Sequence, residues 1–299
     1  MSSPSVTRLL LYPIKSCGGV SLSRARVGLR GLESGTIGDR RWMLSDAEGV
    51  MITQRQTEIL ARVRIELLGD AFRVSGDGLE PVVVDPAEVT DERASVLLFR
   101  REVVGHRSPK AIDAWFSRFL GVEARLLYQT EEDHRLCDPD FAVVPGEDKV
   151  GFADAFPYLI SAEATLDRLN GLLAEPVPID RFRPNIVIGG TGPDAEYGWK
   201  RLEIGAAALS IVKPCTRCVM TTIDQDRGVK TGKEPLATLG RAYYLSADVG
   251  LSTVKGAIFG ENAVADRLGA LAVGDAVRVV EEKPRHAFRA EEPSVSVAG

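Results

Sequence analysis

Histidine and cysteine are scarce in this chain of 299 residues, which holds three imidazoles, His106, His134 and His286, and four thiols, Cys17, Cys137, Cys215 and Cys218. A structural zinc site takes four such ligands in two close pairs, and only Cys215 and Cys218 are so spaced, which reads against a zinc ribbon. A built-in plant-type iron–sulfur cluster needs a C-x4-C-x2-C grouping, which is absent, so any electron transfer uses another carrier. Long apolar runs are also missing. The stretch Leu9 to Tyr12 is stopped by Pro13 and Lys15, too short for a signal peptide or a membrane span. Excess positive charge is lacking as well: the formal net charge is −5, which argues against nucleic acid and gives no reason to expect a membrane surface. No G-x-G-x-x-G after a strand, H-E-x-x-H or G-x-S-x-G occurs, so the common dinucleotide and hydrolase classes lose ground. Scattered thiols, one pair beside cations, fit a reducing compartment, and the expectation is a cytoplasmic protein.

At 44% apolar content the chain can bury one large core or two ordinary ones. From Val6 to about Val104, short extended runs alternate with turn residues: Arg8 to Tyr12, Val20 to Val27, Trp42 to Ser45, Val50 to Thr53, Ala61 to Leu68, Ala71 to Ser75 and Pro81 to Asp85. Gly69-Asp70 reads as a tight hairpin turn. A helix is expected with Ser108 as N-cap and Pro109 first, with Ile112, Trp115, Phe116, Phe119 and Leu120 on one stripe and Gly121 as stop. A second helix is expected from Ser161 through Leu173, and strands over Asn185 to Ile188, Ala207 to Lys213 and Val273 to Val280. Gln129 to Lys149 has no periodicity and reads as a long surface loop. The pattern predicts an α+β, β-rich chain in two units, 5–125 and 126–282, with a mobile tail at 283–299.

The chemistry concentrates in Lys213-Pro214-Cys215-Thr216-Arg217-Cys218, where thiols, cations and hydroxyls crowd one segment. A thiolate is a soft metal donor or a nucleophile, and neighbouring cations stabilise its charge. Tyr12-Pro13-Ile14-Lys15-Ser16-Cys17-Gly18-Gly19 offers a cation, small polar side chains and a glycine pair that would let backbone N–H groups approach a phosphate; an ordinary glycine turn is the plain alternative. Asp39-Arg40-Arg41-Trp42 sets two arginines before a strand, either aimed at a buried phosphate or simply solvated. Arg183 and Asn185 precede another strand, with Pro184 expected to hold Arg183 extended. Asp154 precedes the second helix, as a site acid or a turn residue.

Together with Leu11 to Cys17, Asp39 to Trp42, Arg181 to Asn185 and Cys215 to Asp224, the ordered runs Lys233 to Leu236, Phe259 to Asn262 and Val273 to Asp275 resemble MOSC-domain proteins. The likeness is to the mitochondrial amidoxime-reducing component and its bacterial YcbX-type relatives, and it covers roughly residues 6 to 282. It implies an N-terminal MOSC β-barrel domain, a C-terminal, β-barrel-like MOSC domain with a few helices, and a molybdenum cofactor (Mo-molybdopterin) between them. It implies Cys218 as the molybdenum ligand, Lys15, Ser16, Arg40 and Arg183 as holders of the phosphate and pterin, and Asp154, Thr216 and Arg217 nearby. Cys215 is left as packing or an auxiliary thiol.

The expected activity is reduction of N-hydroxylated compounds by oxygen removal at molybdenum, with Asn185, Asp154 and Thr222 as candidates for proton delivery or substrate contact. The electrons would come from a separate flavin, haem or iron–sulfur protein. The alternative is a molybdenum-cofactor carrier or sulfur-handling protein without turnover, and a further one a thiol-redox or zinc-binding module. Neither nucleic acid nor membrane is expected as a partner.

Overall fold

A computed structural model describes residues 3–133, 135–246, 254–286 and 288. His134 and the greater part of the expected tail, 287 and 289–299, therefore lie outside the described residues. The chain is β-rich, with three α-helices among the described residues, Lys110–Leu120, Glu163–Asn170 and Leu236–Ala242.

The largest sheet runs in the order Val20–Leu22, Ser5–Leu11, Ile186–Gly189, Tyr158–Ala162, Gly256–Arg267, Ala207–Thr216, Trp199–Ile204, Val277–Glu282. The first strand therefore does not pair chiefly within its own half. Ser5–Leu11 lies antiparallel to Ile186–Gly189, with Leu9 opposite Ile186. In return Gly269–Ala272 pairs with Arg24–Gly28. The expected boundary after residue 125 falls inside the strand Arg125–Tyr128, whose partner is Trp42–Ser45. The units 5–125 and 126–282 that we propose from the sequence are thus interleaved.

Local sequence explains most elements. Arg64–Leu68 and Ala71–Gly76 form the expected hairpin, with Leu68 opposite Ala71 and Gly69 at φ +78°. Phe72 and Val74 alternate inward against Trp42, whose ring meets Phe72 edge-on at 5.8 Å between centroids. The helix Lys110–Leu120 buries Ile112, Trp115 and Phe116 and ends at Gly121 in the left-handed conformation. Its start lies one residue later than expected. Pro109 occupies the cap position, and Ser108 instead donates its backbone N–H to Leu126 O at 3.0 Å. Asp113 ties the helix to the sheet by accepting from the Leu126 N–H at 2.7 Å and from Arg107 at 2.7 Å.

Other differences have physical reasons. Val20 to Val27 breaks into Val20–Leu22 and Arg24–Gly28, which pair in different sheets. Val50 to Thr53 makes only isolated bridges, to Ser45 and Leu97. The second helix begins at Glu163, because Ser161 and Ala162 belong to the strand Tyr158–Ala162, whose residues are all buried. Gln129 to Lys149 carries no helix or strand among its described residues, and Arg41 and Arg30 pin its start by donating to backbone oxygens of Gln129, Thr130 and Glu131.

The glycine pair Gly18-Gly19 serves packing, not ligand approach. The Gly18 N–H donates to Val63 O at 3.0 Å, and a Cβ at Gly18 would stand 2.5 Å from that same oxygen. Gly18→Ala is therefore expected to destabilise the fold by about 1–3 kcal/mol, the usual range for overpacking. Urea unfolding measures it, with Gly78→Ala unsuited as a control because its φ is +74°.

Candidate functional site

The site begins where three backbone segments lie side by side. The Arg40 N–H donates to Tyr12 O at 2.7 Å, the Phe152 N–H to Arg40 O at 2.7 Å, and the Lys15 N–H to Trp42 O at 2.8 Å. Lys15, Arg40 and Asp154 are thereby set around one cavity of about 270 Å³. The sheet supplies the opposite wall, where Leu159, Asn262 and Lys213 stand abreast in register. The strand Ala207–Thr216 then gives way to a short 3-10 turn, Val219–Thr222, with Cys218 at its cap position. That turn is why Cys215 and Cys218 both line the cavity, although residues three apart on a continuous strand would face opposite ways.

Every expected cofactor-binding residue lines this cavity: Lys15, Ser16, Arg40, Asp154, Arg183, Thr216 and Arg217, together with Cys218 and Asn185. Among the described residues, the lining holds seven cationic side chains, with Arg55, Arg181 and Lys213 completing the set, against the single carboxylate of Asp154. An arrangement of this kind is built for an anion.

Arg183 is the clearest sign. Its side chain is buried, at 7% exposure, its Nη2 has no hydrogen-bond partner among the described residues, and no carboxylate pairs with it. Burial and the nearby Arg40 push it down to about 10. It stacks on Tyr12 with its Cζ 4.2 Å from the ring centroid, and Arg40 lies over the same ring at 4.4 Å. Leaving a buried charged donor unpaired costs about 1–3 kcal/mol or more, which an entering anion recovers. Pro184 does not hold Arg183 extended. Its φ is +54°, because the chain leaves the 3-10 turn Ile179–Arg181 and must reverse into the strand Ile186–Gly189, and Arg40 fixes that reversal by donating to Arg183 O at 3.1 Å.

Asp154 is held by Lys15 at one oxygen and by Arg55 at the other, the latter at 3.1 Å. Desolvation by its surroundings opposes its ionisation although the side chain is open to solvent, and Lys15 and Arg55 outweigh that and hold it well below the usual carboxylate range. It is therefore a fixed anion near neutral pH, which speaks against proton delivery by Asp154 and leaves substrate contact as its other expected role. Asn185 is likewise committed. Its Nδ2 donates to Leu10 O at 3.2 Å and Asp39 at 2.9 Å, and its Oδ1 accepts from the Leu159 N–H at 3.1 Å and Arg40 at 3.2 Å. An amide so saturated positions its neighbours. Thr222 is buried, donates to Val219 O at 2.8 Å and is not among the lining residues.

The thiols divide by burial. Burial pushes Cys17 and Cys137 up to about 12, so both are inert. Cys215 and Cys218 are partly exposed, and all four are free. Arg217 does not serve Cys218 as its neighbour in sequence suggested: its Nη1 donates to Cys215 Sγ at 2.9 Å and its Nη2 to Phe182 O at 2.7 Å. Arg55 lines the same cavity as Cys218, and against burial its charge is favoured by Asp154 and by that thiol. Arg55 was missed in the sequence because it sits in an irregular turn, fixed by Thr53 donating to Gln56 at 2.6 Å, with no motif around it.

The fold and site thus define a β-rich protein with a cation-lined cavity that carries two partly exposed thiols. Two family models match, the MOSC N-terminal beta barrel domain over residues 3–123 and the MOSC domain over residues 147–278, and the chain belongs to the MOSC family. Among curated relatives it is 33% identical to "Mitochondrial amidoxime-reducing component 1" of Homo sapiens over 91% of this chain and 82% of that one. It is 35% identical to the Mus musculus protein of that name, over 91% and 81%, and 34% identical to "Mitochondrial amidoxime reducing component 2" of Bos taurus, over 91% and 82%. The solved YUAD protein of Bacillus subtilis is matched over 92% of this chain and 94% of its own at 10% identity, with a TM-score of 0.39. Among the described residues no helix is long and apolar enough to cross a membrane.

Lys15 sets a pH dependence. Burial pushes its ammonium down to about 8, against the raising effect of Asp154. Its charge is present below that value and lost above it. Sulfate, which keeps its own charge throughout, is expected to bind the cofactor-free protein about ten-fold more weakly at pH 9.5 than at pH 7, the loss of one charged hydrogen bond. Titration calorimetry measures this, and Lys15→Met should flatten the profile.

Proposed function

We propose that this protein is a reductase that depends on a molybdenum–pyranopterin cofactor and removes oxygen from N-hydroxylated compounds. The observation that carries the reading is the unpaired, buried Arg183 guanidinium in the same cavity as the partly exposed Cys218 thiol. Two demands on a ligand follow: an anionic end for the cations, and metal chemistry beside a lone thiolate. Among the described residues no group of three His, Cys, Asp or Glu side chains could hold a metal. A metal at Cys218 would then take its other donors from the ligand itself, as a pterin bearing a dithiolene provides. The residues present fit that group.

When bound, the cofactor supplies two-electron redox chemistry at molybdenum. The chain's own residues do the rest. Arg183, Arg40, Lys15 and Ser16 bind the phosphate and pterin, with Thr216 and Arg217 on the thiol side. Cys218 supplies the protein sulfur. Asp154, ionised throughout, holds Lys15 and Arg55 in place. Asn185 and Asp39 fix Arg40 from behind. The names of the curated relatives support amidoximes as a substrate class. Electrons would come from a separate flavin, haem or iron–sulfur protein, and four free thiols suit the reducing cytoplasm.

Purified protein loaded with cofactor and given reduced methyl viologen is expected to convert benzamidoxime to benzamidine. Cys218→Ser should abolish this and Cys215→Ser should leave much of it; equal activity in Cys218→Ser and the parent would refute the ligand assignment. A cofactor carrier would instead pass its cofactor to an apo-enzyme and form no benzamidine. Arg183→Ala is expected to lower cofactor content per chain, read by molybdenum and pterin analysis, and full occupancy would remove Arg183 from the phosphate site.

A further inference from the structure

Phe99 and Arg100 form the two-residue loop between the strands Arg93–Leu98 and Arg101–Arg107, where Leu98 pairs directly with Arg101. Both have left-handed backbones, φ +51° and +66°. Such a loop favours Asn-Gly, and a bulky aromatic residue there is a real outlier. The same hairpin would close with little steric cost on Asn-Gly, so the strain points to what the ring does. The ring packs partly into the cluster of Met43, Val96 and Leu98. Its face lies 5.0 Å from Lys15 Nζ and 4.6 Å from Arg55 Cζ, the two cations that hold the two oxygens of Asp154.

We propose that Phe99 is a positioning residue: from its strained hairpin tip, the ring forms a dry wall that holds the Lys15 ammonium and the Arg55 guanidinium on Asp154, so that both face an anion in the cavity. Side chains of this length otherwise swing freely, and a π face gives each cation a preferred seat without neutralising its charge. Lys15 is faced besides by the charges of Asp154, Arg135 and Arg40, and the Phe99 ring adds an uncharged face to these. The inference needs only that the cavity takes an anion, whichever anion that is, and it is tested on protein without cofactor.

The test is sulfate affinity by titration calorimetry from pH 7 to 9.5, in the parent, Phe99→Ala and Phe99→Tyr. At pH 7, Phe99→Ala should bind sulfate about five-fold more weakly, because the cation–π seats of Lys15 and Arg55 are lost together. Its pH break should also move up from about 8 towards that of an ordinary lysine, because the ammonium gains water. Phe99→Tyr, which keeps the ring, should match the parent in both respects. Parental affinity in Phe99→Ala overturns the proposal, and so does weakened affinity with the break unmoved, the mark of a merely structural role. Should Phe99→Ala not fold, Phe99→Leu carries the test, since it keeps apolar bulk but has no π face, and parental affinity there overturns the proposal equally. Absence of sulfate binding by the parent overturns both this proposal and the anion-site reading.

Discussion

A single buried carboxylate joins the segments that form the cavity. Asp39, at 1% exposure, accepts the Tyr12 N–H at 2.8 Å and Asn185 Nδ2 at 2.9 Å on one oxygen, and Arg40 Nη1 at 2.5 Å on the other. Those bonds tie the end of the first strand, the arginine pair and the entry to the strand Ile186–Gly189 into one unit. Burial pushes Asp39 up, and Arg40 and the other donors pull the other way. Remove either Arg40 or Asp39 and a buried charge is left uncompensated, a change worth several kcal/mol in such sites. The placement of Arg40 and Arg183 over the two contacts with Tyr12 follows from this junction.

The cavity is also where the backbone is most unusual. Ser16, Arg40 and Arg183 are all non-glycine residues with positive φ, and all three line it. Left-handed backbones of this kind cost of order 1–3 kcal/mol each and persist only where surrounding contacts over-determine them. Added to the crowding of cations, they concentrate backbone strain and like charge around this one cavity. A ligand that accepts hydrogen bonds from Arg183 and neutralises its neighbours is stabilising in proportion to its affinity.

Much of this was legible in the sequence, for reasons that differ by residue. Lys15, Arg40, Arg183 and Cys218 each stand in short runs whose residue types already suggest chemistry, and their common family resemblance brings them together. Local patterning likewise revealed the Gly69 hairpin and the aromatic helix. What escaped depends on three-dimensional closeness alone. Arg55 and Phe99 come from irregular segments with no periodicity, and they matter only because folding carries them to Asp154. The glycine pair Gly18-Gly19 misled because tight packing on Val63 and Tyr12 demands the same absence of Cβ as a ligand would. Asn185 misled similarly, since a polar side chain facing a cavity is not free when every polar atom is already bonded. The strand exchange between the halves was invisible, because pairing partners far apart in sequence leave no local mark.

The central claim is that the Cys218 sulfur is the chain's own donor to a molybdenum atom whose other sulfur donors arrive with the pterin. X-ray absorption at the molybdenum edge, on protein loaded with the cofactor, tests it most directly. The account predicts one more sulfur neighbour around molybdenum in the parent than in Cys218→Ser. The same sulfur count in both proteins, with cofactor bound in each, would contradict it.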